Sequence, residues 1–331
     1  MPKRKPRPER AWLRFSYSKL RILFNCPYQF LHMYILFTPK PKPPILAVGS
    51  ALHYLAHLFN KVNYQSAESF ASAWRGFWTG VLKGEHGPGS FREPAVPIGW
   101  RSEGEANSWY GKGSSILIGY YQRQQELRES LGEGITIGAL SERRMGCQWR
   151  GLSLVGIMDR IDEYPDYVRI IDLKMGKDDP VVVASSLQPL FYQVGYEKRL
   201  RTQVFGGKPL REFATENLFT GEQMPVPAAG PEQLTAFARY LHEASMYIRA
   251  ILTQDKTCLA KLAHFHPRDT NDFQFYPKLP RGLHCKYCSY TAECAAWERD
   301  HGRPPRDLWV ERLAQSMQEP VPTQQTLPFA T

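Results

Sequence analysis

The sequence predicts an α/β fold in which a block of strands lies between helical segments. Within residues 135–175 apolar side chains recur at alternate positions, as Leu152 and Leu154 do, and this spacing is typical of strands. On either side, apolar residues such as Leu20, Leu23 and Phe24 recur at helical spacing. Helices are predicted over residues 16–37, 49–62, most of 64–130, 185–201 and 231–254. We therefore expect a central sheet flanked by helices.

The same patterns divide the chain into five regions. The regions are a basic flexible arm (1–15), an N-terminal helical region (16–134), a core with the predicted strands (135–255), a cysteine-rich knuckle (256–300) and a tail rich in proline and glutamine (301–331). Four prolines and two lysines in residues 38–44 predict a linker, and a loop is predicted over residues 86–99. The arm has no apolar segment, so it does not have the pattern of a secretory signal.

Composition limits the possible classes of protein. The chain has 331 residues, of which 43% are hydrophobic and 13% aromatic, so it can form a packed core. No stretch approaches the roughly 18 uncharged apolar residues of a membrane helix, so no membrane association is expected. The net charge of +10, from 42 basic and 32 acidic residues, favours a polyanionic partner such as nucleic acid, although a basic protein without such a partner is the alternative.

The six cysteines indicate metal binding rather than disulfides. Without a secretory signal we expect a reducing, cytoplasmic compartment, where disulfides are rare. The cysteines are Cys26, Cys147, Cys258, Cys285, Cys288 and Cys294. Three of them, Cys285, Cys288 and Cys294, lie within ten residues in the knuckle, and clustered cysteines in such a compartment are typical of metal sites.

Residues 151–174 predict a β-hairpin that carries two carboxylates on one face. The Pro-Asp in the middle favours a four-residue loop, which places Glu163 opposite Val168. Continuing this register, residue pairs 161 and 170, 159 and 172, and 157 and 174 lie opposite each other, and these six side chains share one face. The face then carries Asp159, Asp172 and Lys174 among isoleucines.

Two buried carboxylates that face each other raise each other's pKa, and a divalent cation between them removes the conflict. Mg²⁺ or Mn²⁺ prefers such oxygen ligands and keeps positions open for water and phosphate. Lys174 could orient an attacking water or stabilise charge on a phosphate. The alternative is a hydrated strand pair, which is the interpretation that we adopt for Asp162, Glu163 and Arg169.

Gly156-x-x-Asp159 followed by Ile171-Asp172-Leu173-Lys174 resembles the core of the PD-(D/E)xK nucleases. The resemblance is to the RecB-like branch, which includes the AddB nuclease domain and the iron–sulfur CRISPR adaptation nucleases. It covers about residues 16–300 and implies a restriction-endonuclease-like core with a mixed sheet flanked by helices. It also implies DNA as the substrate, with single-stranded or unwound ends preferred.

The resemblance implies roles for further residues. His53, in Gly49-Ser-Ala-Leu-His53, matches the family's histidine, so His53, Asp159, Asp172 and the Leu173 carbonyl are expected to hold one or two Mg²⁺ or Mn²⁺ ions. His57 is interpreted as a helix-surface histidine. Gln188 and Tyr192 match the family's Q-x-x-x-Y, expected to hold the strand or steady Lys174. Glu142 could match a family glutamate.

The cysteine order also resembles that of the iron–sulfur members of this branch. Cys26 precedes the core, and Cys285, Cys288 and Cys294 follow it, which implies a [4Fe–4S] cluster that joins both ends of the domain. Zinc is the alternative, since four thiolates also suit zinc. Cys147 and Cys258 fit neither pattern and are interpreted as core or incidental thiols.

Three further interpretations stay open. The chain lacks G-x-x-x-x-G-K-[ST], so a nuclease without its own helicase motor is expected, and a non-catalytic DNA-binding subunit and a DNA-end trimming factor in CRISPR adaptation are the alternatives. Tyr17, Tyr28 and Tyr287 could stack on single-stranded bases or pack in the core. The segment Gln324–Phe329 is similar to sliding-clamp peptides, and an unstructured end is the alternative.

Overall fold

The centre of the protein is a six-stranded mixed sheet. The computed structural model describes residues 14–35, 40–41, 43–62, 64–82, 98–176, 186–253, 288 and 290–301. The strands are β1 (Arg14–Phe15), β2 (Thr136–Trp149), β3 (Leu152–Glu163), β4 (Val168–Lys174), β5 (Leu210–Asn217) and β6 (Gln223–Pro227). Strands β1 with β3 and β4 with β5 pair in parallel, whereas the other pairs are antiparallel. The predicted α/β fold with a central sheet is confirmed.

Helices cover both faces of this sheet. They are α1 (Tyr17–Asn25), α2 (Pro27–Phe30), α3 (Pro44–Lys61), α4 (Ala67–Leu82), α5 (Glu103–Ser130), α6 (Gln188–Arg199), α7 (Pro231–Thr253) and α8 (Thr291–His301). One core packs α1, α6 and α7 against the sheet, and the other packs α3, α4 and α5. Adjacent residues of β4 face different cores, since Ile170 belongs to the first and Ile171 to the second. None of the described helices is long and apolar enough to cross a lipid bilayer.

The hairpin of β3 and β4 has the predicted register over residues 160–163 and 168–171, but the predicted pairs of residues 159 with 172 and 157 with 174 are not part of the ladder. Glu163 pairs with Val168 and Ile161 with Ile170, and the four-residue loop closes with the Tyr164 amide donating to the Tyr167 carbonyl at 2.9 Å. The ladder ends at Arg160 and Ile171, so the strands diverge just before the two acidic positions. This divergence gives the end of β4 the room for side chains that reach it from helices.

Several element bounds differ from the predictions. The first predicted helix is interrupted at Cys26, which caps α1 before α2 and a short π-helical turn over Leu31–Ile35. Helix α3 begins at Pro44, inside the predicted linker, because proline at the first helical position has a helical φ and needs no amide partner. Strands β1, β5 and β6 were not predicted. Most of the predicted loop over residues 86–99 lies outside the described residues, and so does the first part of the knuckle, residues 256–287.

The three charges predicted to be hydrated, Asp162, Glu163 and Arg169, are in ion pairs. Asp162 is 1% exposed and pairs with the buried Arg160, so its predicted hydration is wrong. The reason is a partner across the sheet, Glu216, which the hairpin sequence does not reveal. Glu163 and Arg169 are half-buried in ion pairs with Lys208 and Glu212.

Candidate active site

Four elements bring the predicted site residues together at the end of β4. Strand β3 contributes Asp159, β4 contributes Asp172 and Lys174, α3 contributes His53, and α6 contributes Gln188 and Tyr192. They form two sets of contacts: His53 pairs with Asp159, and Asp172 contacts Lys174, Gln188 and Tyr192. The Leu173 amide, which donates to Asp159, joins the two sets through the main chain of β4. The sequence interpretation that these residues cluster therefore agrees with the geometry.

Asp159 is held through one oxygen. Its Oδ2 accepts from the Leu173 amide at 2.8 Å and lies 3.3 Å from His53 Nδ1. Burial alone would raise the pKa of Asp159, but His53 and the Leu173 amide outweigh burial and lower it. Burial likewise acts to lower the pKa of His53, and Asp159 outweighs it so that the pKa is raised. Asp159 is therefore ionised, with its second oxygen available for another ligand.

Asp172 is 3% exposed and is bound on both oxygens. Its Oδ1 accepts from Gln188 Nε2 at 2.6 Å and from the Tyr192 hydroxyl at 3.2 Å, and its Oδ2 lies 2.5 Å from Lys174 Nζ. Burial, together with the nearby charge of Asp159, raises the pKa of Asp172 to about 6 despite the lysine. The two aspartates thus differ in proton affinity although they lie on neighbouring strands.

Lys174 bridges the acidic side chain and the helix that covers it. Its ammonium lies against Asp172 and donates to Gln188 Oε1 at 3.1 Å. Burial acts to lower the pKa of Lys174, and Asp172 more than offsets this and raises it. The lysine is therefore a charged group at a fixed position, as the sequence interpretation requires.

Glu142 reaches the site through an unusual backbone. It adopts a φ of 47° in the middle of β2, a left-handed conformation that a strand residue rarely takes, and it lacks a pairing partner on β3. The register continues past this position, with Ser141 opposite Arg160 and Arg143 opposite Met158, so Glu142 lies across from Asp159. A Glu142 carboxylate oxygen, a His53 nitrogen and an Asp159 oxygen lie within 4.8 Å of one another. Burial, then the charge of Asp159, raises the pKa of Glu142 to about 7. No hydrogen-bond donor among the described residues reaches its carboxylate.

Ser141, next to Glu142 on β2, contacts His57 on α3. The His57 Nδ1 and the Ser141 hydroxyl lie 2.6 Å apart, and the histidine is half-buried. Its interpretation as a helix-surface residue is therefore wrong, because α3 packs against β2 along this side. The contact ties α3 to the strand that carries Glu142.

The donor set suits a hard divalent cation. Two carboxylates and one imidazole converge with three potential ligand atoms, and the carboxylate of Glu142 has a raised pKa that a cation would relieve. Among the residues that the structure describes, no other group of three His, Cys, Asp or Glu side chains has its ligand atoms within 4.8 Å of one another. Asp172 lies beside the group, held by Lys174.

The described cysteines fall into two environments. Cys147 is 9% exposed within the core, as the sequence predicts. Cys26 ends α1, and its Sγ accepts from the Gln29 amide at 3.4 Å. The N-terminal segment that follows contacts the segment of Cys288 and Cys294 through Tyr290, whose ring stacks on His32 with centroids 5.2 Å apart. The other predictions on residues 1–13, Cys258, Cys285, Tyr287 and Gln324–Phe329 lie outside the described residues, and so does any description of the Tyr28 side chain.

Carboxylates that can hold divalent cations next to a lysine are the means by which a large class of nucleases cuts phosphodiesters. The chain matches the model of the PD-(D/E)XK nuclease superfamily over residues 14–295 and therefore belongs to that superfamily. A crystal structure from Eubacterium rectale, of a protein named provisionally as an exonuclease, has a TM-score of 0.39 and 13% identity, covering 73% of this chain and 82% of that chain. A comparison with curated proteins finds no match.

Proposed function

We propose that the protein is a divalent-metal-dependent DNA nuclease that trims single-stranded or unwound ends. One observation carries the proposal: the ligand atoms of His53, Glu142 and Asp159 converge within 4.8 Å beside the ion pair of Lys174 and Asp172. Such a group is costly to bury without a cation, and it lies in a member of a nuclease superfamily. An enzyme explains this cost better than a purely structural role does.

His53, Glu142 and Asp159 would hold the first Mg²⁺ or Mn²⁺, and Asp172 with the Leu173 carbonyl would complete the site. A divalent cation there would supply Lewis acidity, which polarises the phosphodiester and makes an attacking water more acidic. Asp159 suits this role because its pKa is lowered, so it stays ionised over the working range of pH. Glu142 is the addition to the ligands that the sequence predicted.

Lys174 would place the water and stabilise the negative charge that grows on the phosphate. Its ammonium is positioned by Asp172 and by the Gln188 amide oxygen, which removes much of the rotational freedom of a lysine. Tyr192 and Gln188 hold Asp172 Oδ1, so α6 fixes the carboxylate through the oxygen that does not contact the lysine. These two residues act chiefly by positioning Asp172 and Lys174.

Charge near the site supports a polyanionic substrate. Arg143 and Arg144 lie exposed on β2, directly after Glu142 in the chain, and the whole chain carries +10. Cations of this kind bind phosphates irrespective of base sequence. The proposed preference for single-stranded ends rests on the resemblance of the sequence to the RecB-like branch.

The test is cleavage of end-labelled DNA in Mn²⁺ by Lys174→Met and Asp172→Asn proteins. We expect each variant to lose at least about 100-fold in rate, because a group that stabilises transition-state charge is removed. Lys208→Met is the matched control, since Lys208 is also a half-buried lysine in an ion pair, with Glu163 at 2.7 Å, but it lies away from the site. Undiminished cleavage by both site variants would contradict the proposed nuclease site.

Exonucleolytic action has its own test. Linear and circular single strands of one sequence are compared under the same conditions. An exonuclease leaves the circle intact, whereas rapid cutting of the circle would show an endonuclease.

We also propose a [4Fe–4S] cluster on Cys26, Cys285, Cys288 and Cys294. The contact of Tyr290 with His32, and that of Tyr290 with Lys40 at 5.7 Å, supports this proposal because it brings the two cysteine-bearing segments together. An amide donor on Cys26 Sγ also suits a cluster thiolate, whose potential depends on such hydrogen bonds.

Iron and sulfide analysis of anaerobically purified protein tests the cluster. We expect about four irons per chain and a broad absorption near 400 nm. Cys294→Ser should lose both, while Cys147→Ala, a core cysteine, should keep them. Stoichiometric zinc without iron would contradict the cluster and favour the tetrahedral zinc alternative.

A further inference from the structure

One edge of β3 is open in the middle. Strand β2 follows one edge of β3 from Leu152 to Glu163, so β1 and β4 must both pair with the other edge. Strand β1 pairs there as far as Leu154, and β4 pairs only from Arg160 onward. Between them, no strand within the described ranges pairs with residues 155–159 on this edge. The sheet therefore has a slot directly beside the diverging end of β4.

A cavity of about 280 Å³ occupies this slot. Its lining includes Gly156 and Ile157 from the open edge, Tyr17 from the first turn of α1, Met145 from β2, and Gln188 and Tyr192 from α6. The walls are thus aromatic and apolar, with a few hydroxyl and amide groups. Ile157 is 39% exposed, so solvent reaches the slot.

Gly156 and Gly195 leave room for the Met145 side chain, which forms one wall of the cavity. A Cβ atom on Gly156 would lie 2.8 Å from Met145 Cε and 3.7 Å from Tyr192 Cε1. Met145 cannot easily withdraw, because its sulfur fills the space over Gly195, where a Cβ would lie only 1.8 Å away. A larger residue at position 156 would therefore overlap Met145, and the new side chain or the displaced methionine would reduce the cavity.

The cavity adjoins the proposed catalytic groups. Gln188 and Tyr192 line it, and the same two side chains bind Asp172 Oδ1, while Gln188 also accepts from Lys174. Tyr17 also lines the cavity. Burial acts to lower the pKa of Lys174, and the charges of Asp172, Asp159 and, last, Tyr17 raise it, so Tyr17 lies near the lysine. A molecule in the cavity would therefore contact side chains that bind Asp172 directly.

We propose that this cavity receives the unpaired base of the nucleotide next to the phosphate that is cut. The inference rests on the proposed nuclease function and names the group that the site selects. The volume is at the lower end for small-ligand sites, which suits one base rather than a base pair. A base offers a flat π-face to Tyr17 and apolar contacts to Ile157, while its polar edge can meet hydroxyl and amide groups.

Base entry would make the enzyme prefer single strands. A paired base keeps its Watson–Crick edge engaged and its faces stacked, and freeing it costs about a few kcal/mol. An unpaired base at a strand end enters without that cost. Selection for single-stranded ends then depends on Tyr17 and on the space at Gly156, not on the charged groups that cut.

The kinetic test uses single strands in which one nucleotide lacks its base. The abasic position is moved stepwise along the strand, and cleavage with Mn²⁺ is measured at each phosphate. Wild-type protein should cut about 5- to 100-fold more slowly when the missing base flanks the cut phosphate, the range expected for one base stack. Tyr17→Ala and Gly156→Val should cut the intact and abasic strands at nearly equal rates.

Phe219→Ala is the control, because Phe219 is an exposed aromatic residue, 43% accessible, in the turn between β5 and β6. It should keep the wild-type preference for the intact strand. If Gly156→Val does not fold, Tyr17→Ala decides, since Tyr17 is half-buried at the surface. Equal wild-type rates on both strands, with normal cleavage, would overturn the base site and leave the nuclease function standing.

A second readout does not need cleavage. Single strands carrying the fluorescent base 2-aminopurine at the same position are titrated with protein in Ca²⁺. Stacking in the cavity should quench the wild-type signal, and Tyr17→Ala should restore most of it. Quenching that Tyr17→Ala leaves unchanged would overturn the inference, and a wild-type protein that quenches but never cuts would overturn the nuclease function instead.

Discussion

Two clusters of buried charge lie along β3, one residue apart, and they differ in how completely their charges are paired. In the first, Arg160 donates to Asp162 at 3.0 Å and to Glu216 at 2.8 Å, and all three residues are 1% exposed. Backbone and amide groups complete it: the Gly138 amide binds Asp162, and Gln223 binds Glu216, each at 2.8 Å. Every carboxylate oxygen of this cluster has a donor.

The second cluster, around Asp159 and Asp172, is incomplete. Lys174 is paired with Asp172, and His53 with Asp159, but the Glu142 carboxylate has no donor from the residues that the structure describes. The pKa of Glu142 is raised to about 7 and that of Asp172 to about 6, chiefly by burial, so each carboxylate is held at a cost in free energy. The comparison teaches that burial alone does not indicate function. A buried charge that the protein leaves uncompensated does, because a ligand can compensate it.

The largest effect on stability is expected from breaking the completed cluster. Arg160→Met leaves two buried carboxylates without their cation and should lower the free energy of unfolding by about 3–5 kcal/mol. Urea denaturation at neutral pH measures this. Arg169→Met is the control: Arg169 pairs with Glu212 at a half-buried position, where solvent partly screens the pair, so its loss should destabilise the protein less than Arg160→Met does. An Arg160→Met protein as stable as the wild type would show that the first cluster contributes nothing.

The incomplete cluster should respond to pH in the metal-free protein. Because the folded pKa values of Glu142 and Asp172 are raised, the folded state binds these protons more tightly than the unfolded chain does. Their contribution to stability is complete below about pH 4 and is lost as pH rises through 6 and then 7. Glu142→Gln should therefore stabilise the metal-free protein at pH 8 by at most about 3 kcal/mol, and leave it unchanged at pH 4.

Thermal unfolding with and without Mn²⁺ checks this prediction. In Mn²⁺ at pH 8 the order should reverse, with the wild type more stable than Glu142→Gln, because a bound cation stabilises the folded state by mass action. A variant that is destabilised at pH 8 without metal would mean that Glu142 is held by contacts rather than poised for a cation.

The smallest expected effect is that of removing the contact between His57 and Ser141. His57→Ala removes the 2.6 Å contact with Ser141 next to Glu142, and should cost about 1 kcal/mol and weaken Mn²⁺ binding a few-fold. His242→Ala serves for comparison, since His242 makes a 3.1 Å contact with the Arg150 carbonyl on an exposed surface. Calorimetric titration with Mn²⁺ separates the two. Equal metal affinities would remove any role of His57 in the site.

The part of the site that the sequence predicts is local. Alternation along β3 and β4 and the four-residue turn predict which residues share a face. Residues 151–174 therefore place Asp159, Asp172 and Lys174 near one another, although the ladder ends before them. His53 came from resemblance, because a histidine on a helix has no local signal that aligns it with a strand.

What the sequence does not predict depends on long-range or irregular geometry. Only the resemblance indicated Glu142, which has a left-handed φ of 47° within β2, and β-strand periodicity gives no sign of such a residue. Arg160 is buried because Glu216 meets it from β5, 56 positions along the chain. Strand β5 itself was not predicted because Thr215 and Glu216, both buried, interrupt its apolar pattern. The slot in the edge of β3 likewise arises only when β1 and β4 stop short of each other.

The most direct measurement is an anomalous difference map of crystals soaked in Mn²⁺. The account predicts a peak bounded by the side chains of His53, Glu142 and Asp159, beside Asp172, and weaker occupancy in Glu142→Gln crystals. Crystals of protein that cleaves DNA in Mn²⁺ but shows no peak at this cluster would contradict the claim that these uncompensated carboxylates exist to hold a cation.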